Sequence, residues 1–83
     1  MYSLQLSNRF DREFSKLGKE VRDRVVEELR EISRNPRVGK PLKGRLKGLH
    51  SARVGAYRIV YQILEEKRAV IAVTVGHRKI VYR

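Results

Sequence analysis

Tyr57-Arg58-Ile59-Val60-Tyr61-Gln62-Ile63-Leu64, the polar break Glu65-Glu66-Lys67 and the run Ala69-Val70-Ile71-Ala72-Val73-Thr74-Val75 decide the fold. Both apolar runs are rich in β-branched and aromatic residues, the composition of strands. A break this short between them predicts an antiparallel pair. Gly76 interrupts the second run, and His77-Arg78-Lys79-Ile80-Val81-Tyr82-Arg83 closes the sequence. Just upstream, after Pro41, Ala52-Arg53-Val54 reads as one more short strand.

The first half follows a different period. Tyr2-Ser3-Leu4-Gln5-Leu6 alternates and predicts a short strand. Ser7 or Asn8 then offers an N-cap, and Phe10, Phe14 and Leu17 recur at helical spacing, with Gly18 expected to close that helix. Val21, Val25, Leu29 and Ile32 form the apolar stripe of a second helix. Asn35-Pro36 stops it, because proline disfavours helical geometry in the residue before it. The expected class is α+β, in the order β-α-α-β-β-β. An N-terminal strand and a helical hairpin precede a three- to four-stranded antiparallel sheet. The hairpin covers one face of that sheet.

At 83 residues the chain has room for a single domain, 1–83. Apolar residues at 41% and charged residues at 35%, with two prolines, exclude long disorder. No apolar run approaches the roughly 18 residues that span a bilayer, and the first residues are not those of a signal peptide. Without cysteine there is no disulfide framework, thiolate nucleophile or Cys-ligated zinc, and a reduced, cytoplasmic setting is expected.

The net charge of +11 is unevenly spread. Residues 1–31 carry seven basic and seven acidic side chains, whereas residues 32–83 carry thirteen basic and two acidic. From Ile32 to Leu64 there is no carboxylate. Such a one-sided cationic field attracts phosphate backbones. An acidic protein or membrane surface would be attracted by the same field.

The usual catalytic sets are missing. His50 and His77 lack metal-ligand spacing, and no cluster of carboxylates in the strand region could hold magnesium. Leu42-Lys43-Gly44-Arg45-Leu46-Lys47-Gly48 is a basic glycine loop but not a P-loop. What remains is a cationic strand system of Lys43, Arg45, Lys47, Arg53, Arg58, Arg78 and Lys79, interleaved with Tyr57, Tyr61 and Tyr82. Arginine grips phosphate through its planar fork, and tyrosine stacks on bases. Such a set binds RNA, or cleaves it without metal by stabilising the charge that builds on phosphate as the 2′-hydroxyl attacks. For Tyr57 and Tyr61, on one face of a strand, core packing is the better account.

Leu42-Lys43-Gly44, then Arg53-Val54-Gly55-Ala56-Tyr57-Arg58-Ile59-Val60-Tyr61, then Val75-Gly76-His77-Arg78-Lys79-Ile80-Val81-Tyr82-Arg83 resemble the RelE branch of the RelE/ParE toxin superfamily. The likeness spans essentially the whole chain, in the same order of elements. It implies a ribosome-dependent mRNA endonuclease that needs no metal or other cofactor and is held inactive by an acidic, RelB-like antitoxin. On this resemblance Arg58 stabilises the phosphate, Arg78 serves the leaving group, and Tyr82 orients and stacks the substrate. Arg53 and Ser51 fall where the branch carries lysines. Lys43, Arg45, Lys47, Ser51, His77 and Lys79 complete the expected RNA surface.

Arginine in place of lysine leaves the general base open, because a guanidinium does not give up its proton at neutral pH. His50 and His77 are the only side chains that ordinarily titrate near neutrality. A ParE-like toxin directed at DNA gyrase, and an RNA- or ribosome-binding module without catalysis, are the alternatives.

Overall fold

In a computed structural model, which describes residues 1–79, the elements follow the expected order with one addition. Strand β1 (Ser3–Leu6) leads into helices α1 (Asn8–Ser15) and α2 (Lys19–Arg34). A two-residue strand β2 (Lys40–Pro41), then β3 (Leu49–Val54), β4 (Tyr57–Leu64) and β5 (Ala69–His77) complete the sheet. The spatial order is β1-β5-β4-β3-β2. β2 to β5 pair antiparallel, and β1 joins β5 in parallel, with Ser3 opposite Ala69 and Leu6 opposite Ala72. No helix among the described residues is long and apolar enough to cross a membrane.

The two helices bury one face of the sheet. Phe10, Val25, Leu29 and Ile32 meet Ala52, Val54, Ile59, Tyr61, Val70, Ala72 and Val75 in one core. Ser7 caps α1 by accepting the Phe10 N–H on its hydroxyl. Gly18 does not close α1 in a left-handed conformation. Its φ of −65° and ψ of 156° are extended, and its carbonyl accepts the Arg22 N–H to begin α2. With only three residues between the helices, the same glycine has to start the second one.

β5 outruns its partner β1 and leaves an open edge beyond Ala72, a liability in any sheet. Helix α1 covers it. The Ser7 hydroxyl donates to the Val73 carbonyl, and the Glu13 carboxylate accepts from the Thr74 hydroxyl (2.6 Å) and the Val75 N–H (3.1 Å). Partial burial pushes the Glu13 pKa up, but those two hydrogen bonds and Arg9 outweigh it and hold the carboxyl below its ordinary value. A carboxylate lowered in this way stabilises the fold above the ordinary glutamate value. That contribution disappears as pH falls through its lower folded value. Glu13→Gln is therefore expected to flatten the acid arm of stability against pH, as read by urea melts from neutral pH downward. An acid arm unchanged by the substitution would remove Glu13 from this role.

Candidate functional site

The site begins at the β3–β4 turn. Gly55 takes a φ of +59° and Ala56 does not have a positive φ, which is the pattern of a two-residue turn led by glycine. The Arg24 guanidinium of α2 lies over Gly55, 3.2 Å from where a Cβ would stand. This tight turn puts Arg53 of β3 directly opposite Arg58 of β4, and Arg58 directly opposite Gly76 of β5. One step further the Arg78 N–H donates to the Ala56 carbonyl at 2.9 Å. Three arginines that are up to 25 positions apart thus share one end of the sheet. Like charges directly opposite each other destabilise a strand pair, so the arrangement favours an anion between them.

Beside this end runs a groove of about 440 Å³ lined by Glu28, Lys40, Ser51, Arg53 and Arg58. Ser51 is buried, Arg58 half-buried and Arg53 exposed. Sequence reasoning missed two of these side chains. Lys40 sits on a strand too short to leave a periodic signal. Glu28 comes from α2, three residues after Val25 and four before Ile32, which puts a carboxylate on the apolar stripe itself. That misplaced charge was the available signal.

Segment β2 is fastened by Tyr61, which is fully buried. Its hydroxyl donates to the Pro36 carbonyl (2.6 Å) and accepts the Gly39 N–H (3.0 Å). Burial raises the Tyr61 pKa above its ordinary value, so the hydroxyl keeps the proton it donates. His50 stacks on the same ring at 5.6 Å, and burial, with Arg37 nearby, holds its pKa below the ordinary histidine value. It is the neutral form that this environment favours. Tyr57 is half-buried against the core, and His77 meets its ring edge-on at 5.9 Å. The Nδ1 of His77 accepts the Lys79 N–H at 3.3 Å.

The other basic residues lie elsewhere. Lys43, Arg45 and Lys47 are exposed around the short turn Gly44–Leu46, beyond Leu49, which pairs with Gln62. Leu49 and Arg53 are four residues apart on β3, or about 13 Å. This loop therefore marks the opposite end of the strand from Arg53 and Arg58. Lys79 is exposed next to Arg78, and Tyr82 lies outside the described residues.

The model of the ParE toxin family of type II toxin–antitoxin systems, parDE, matches residues 4–82. The chain belongs to the RelE/ParE toxin superfamily. The toxin is 39% identical to toxin RelG of Mycobacterium tuberculosis, over 99% of this chain and 97% of that one. It is 32% identical to the mRNA interferase toxin RelE of Escherichia coli, over 94% of this chain and 84% of that one. Among solved structures, the RelBE2 toxin–antitoxin complex of M. tuberculosis matches with a TM-score of 0.86 at 39% identity. That match covers 93% of this chain and 98% of that one. The isolated E. coli RelE toxin matches with a TM-score of 0.83 at 31% identity, over 93% and 84%. The fold class and the RelE-like character expected from sequence are therefore correct, and the protein is a RelE-like toxin of a type II system.

Proposed function

We propose that the toxin cuts mRNA on the translating ribosome, without metal, by attack of a ribose 2′-hydroxyl on the adjacent phosphate. The observation that carries this reading is the register that faces Arg53 with Arg58 and sets Arg78 beside them, next to a groove of nucleotide size. Charge develops on the phosphate oxygens as the 2′-oxygen attacks. Preorganised guanidinium donors stabilise that charge more strongly than the ground state. In this reading Arg58 and Arg53 hold the phosphate, Arg78 stabilises the departing 5′-oxygen, and Tyr82 stacks on the substrate. Ser51, His77 and Lys79 border the RNA path. Lys43, Arg45 and Lys47, at the far end of β3, hold backbone some distance from the cut.

A small chain with an open groove cannot orient an RNA by itself, and correct orientation is worth several kcal/mol of barrier. The ribosome supplies it. The E. coli relative is named an mRNA interferase, which supports the same substrate. The cognate partner is an acidic, RelB-like antitoxin drawn by the net charge of +11. Several structural neighbours are complexes of RelE toxins with antitoxin, in keeping with that partner.

In vitro translation with added toxin and chelator, followed by primer extension, tests the proposal. Codon-phased cuts on translating ribosomes and intact naked mRNA are expected. Equal cutting of both would overturn the ribosome requirement. Because the family model is described as ParE, gyrase supercoiling is measured in parallel. Its inhibition without mRNA cuts would favour a gyrase-directed toxin, and neither effect would leave a binding module.

A further inference from the structure

Glu28 is out of keeping with the other acidic residues. Glu13, Asp23, Glu27, Glu31 and Glu65 each hold an arginine or lysine, at 2.6–3.2 Å. Asp11, Glu20 and Glu66 are exposed to water. Glu28 alone is partly buried and has no ion pair or hydrogen bond among the described residues. A chain with 20 basic side chains has no shortage of cations to offer it. Leaving a half-buried carboxylate unpaired is unfavourable for the fold, and exceptions of this kind collect at functional sites.

Its place gives the reason. Glu28 lines the groove with Lys40, Ser51, Arg53 and Arg58, and among the described residues it is the only carboxylate to do so. None of the other side chains there accepts a proton at neutral pH, since Lys40 and both arginines are cations and a serine hydroxyl is a weak base. His50 is packed on Tyr61 and does not line the groove. We propose that Glu28 is the catalytic base of this site and takes the proton of the ribose 2′-hydroxyl when Arg53 and Arg58 hold the neighbouring phosphate. The proposal rests on the nuclease reading above and supplies the base that reading lacks.

The 2′-O–H bond breaks and its proton goes to a Glu28 oxygen. The 2′-oxygen bonds to phosphorus, and the bond from phosphorus to the 5′-oxygen breaks. That oxygen takes a proton from water, and Glu28 returns its own to solvent. The products are a 2′,3′-cyclic phosphate and a 5′-hydroxyl end.

The surroundings make the carboxylate more basic. Burial first, and then Glu31 one turn away, raise the Glu28 pKa above its ordinary value. Arg24 and Glu27 share its helix face, while Lys40, Arg53 and Arg58, from β2, β3 and β4, line the same groove. The Tyr61 hydroxyl also feels it. A base with its pKa raised toward the working pH accepts a proton more effectively.

The test uses full-length toxin on translating ribosomes, with single-turnover cleavage measured from about pH 5 to pH 8 beside a thermal melt. Glu28→Gln is expected to lower the rate by about 10²- to 10³-fold and to abolish the fall in rate on the acid side. Its melting temperature should equal or exceed that of the wild type, because the amide removes an unpaired half-buried charge. Glu28→Asp should retain the acid limb at an intermediate rate. Wild type that cleaves, beside a Glu28→Gln within threefold of it and with the same acid limb, overturns the assignment of Glu28 alone. Wild type that leaves mRNA intact overturns the nuclease reading and this one with it. Should Glu28→Gln not fold, a Glu28→Asp limb displaced from wild type supports the proposal and an unmoved one overturns it.

Discussion

Arg58→Ala is expected to lower the rate of mRNA cleavage at least about 10²-fold, a loss of roughly 2.7 kcal/mol of transition-state stabilisation. Arg78→Ala should fall in the same range. Arg58 stands between Arg53 on one side and Gly76 on the other, so its side chain reaches the space where a phosphate would meet two strands at once. Stability should change little by comparison. Removing one member of a like-charged cross-strand pair relieves repulsion, and arginines near the surface contribute under about 1 kcal/mol. Primer extension and a thermal melt on each variant measure the two effects separately. Both variants folded and fully active would move the chemistry away from this end of the sheet.

Gly39→Ala should produce the largest loss of stability from a single methyl group. Gly39 has φ −80° and ψ 167°, an extended conformation open to any residue, so backbone strain is not the cause. Space is. A Cβ there would collide with the Tyr61 hydroxyl and lie 2.9 Å from the Ser51 carbonyl oxygen. The Tyr61 ring is wholly buried and cannot retreat. Overpacking of this kind costs about 1–3 kcal/mol, and each of the two hydrogen bonds at the Tyr61 hydroxyl adds about 1 kcal/mol if lost. For a domain this size a loss of about 3 kcal/mol lowers Tm by roughly 12–24 °C. Gly18→Ala is the control, since Gly18 has φ −65° and open space around it. It should remain within about 0.5 kcal/mol of wild type. Equal melting of the two variants would refute the fastening of β2 by Tyr61.

The β4–β5 hairpin and both helices were legible because their residues act locally. β-branched runs, one apolar stripe and an Asn-Pro stop need no knowledge of the rest of the chain. The hairpin register also brings the start of β4, with Arg58, beside the end of β5, since the turn between them is short. Illegible features depend on distant partners. Nothing in Ser3–Leu6 says that it pairs in parallel with β5 instead of adding to the other side of the sheet. The basic loop around Arg45 looks equivalent to Arg53 in composition, and only the length of β3 separates them. Glu28 was hidden for a related reason. A helix pattern shows which face is buried but not which strand edge the margin of that face will meet.

The parallel pairing of β1 with β5 also orders events during synthesis. β1 is made first, yet its partner begins 66 positions later, at Ala69 opposite Ser3. Until β5 emerges, β4 lacks one neighbour, β1 lacks any, and the edge that α1 covers does not exist. Arg53 and Arg58 are translated before the strand that braces them. A chain whose closing contacts join strands so far apart in sequence folds late and as a whole, because the loop entropy is lost before those contacts form. The nascent toxin thus gains its assembled sheet only after β5 has left the ribosome that makes it.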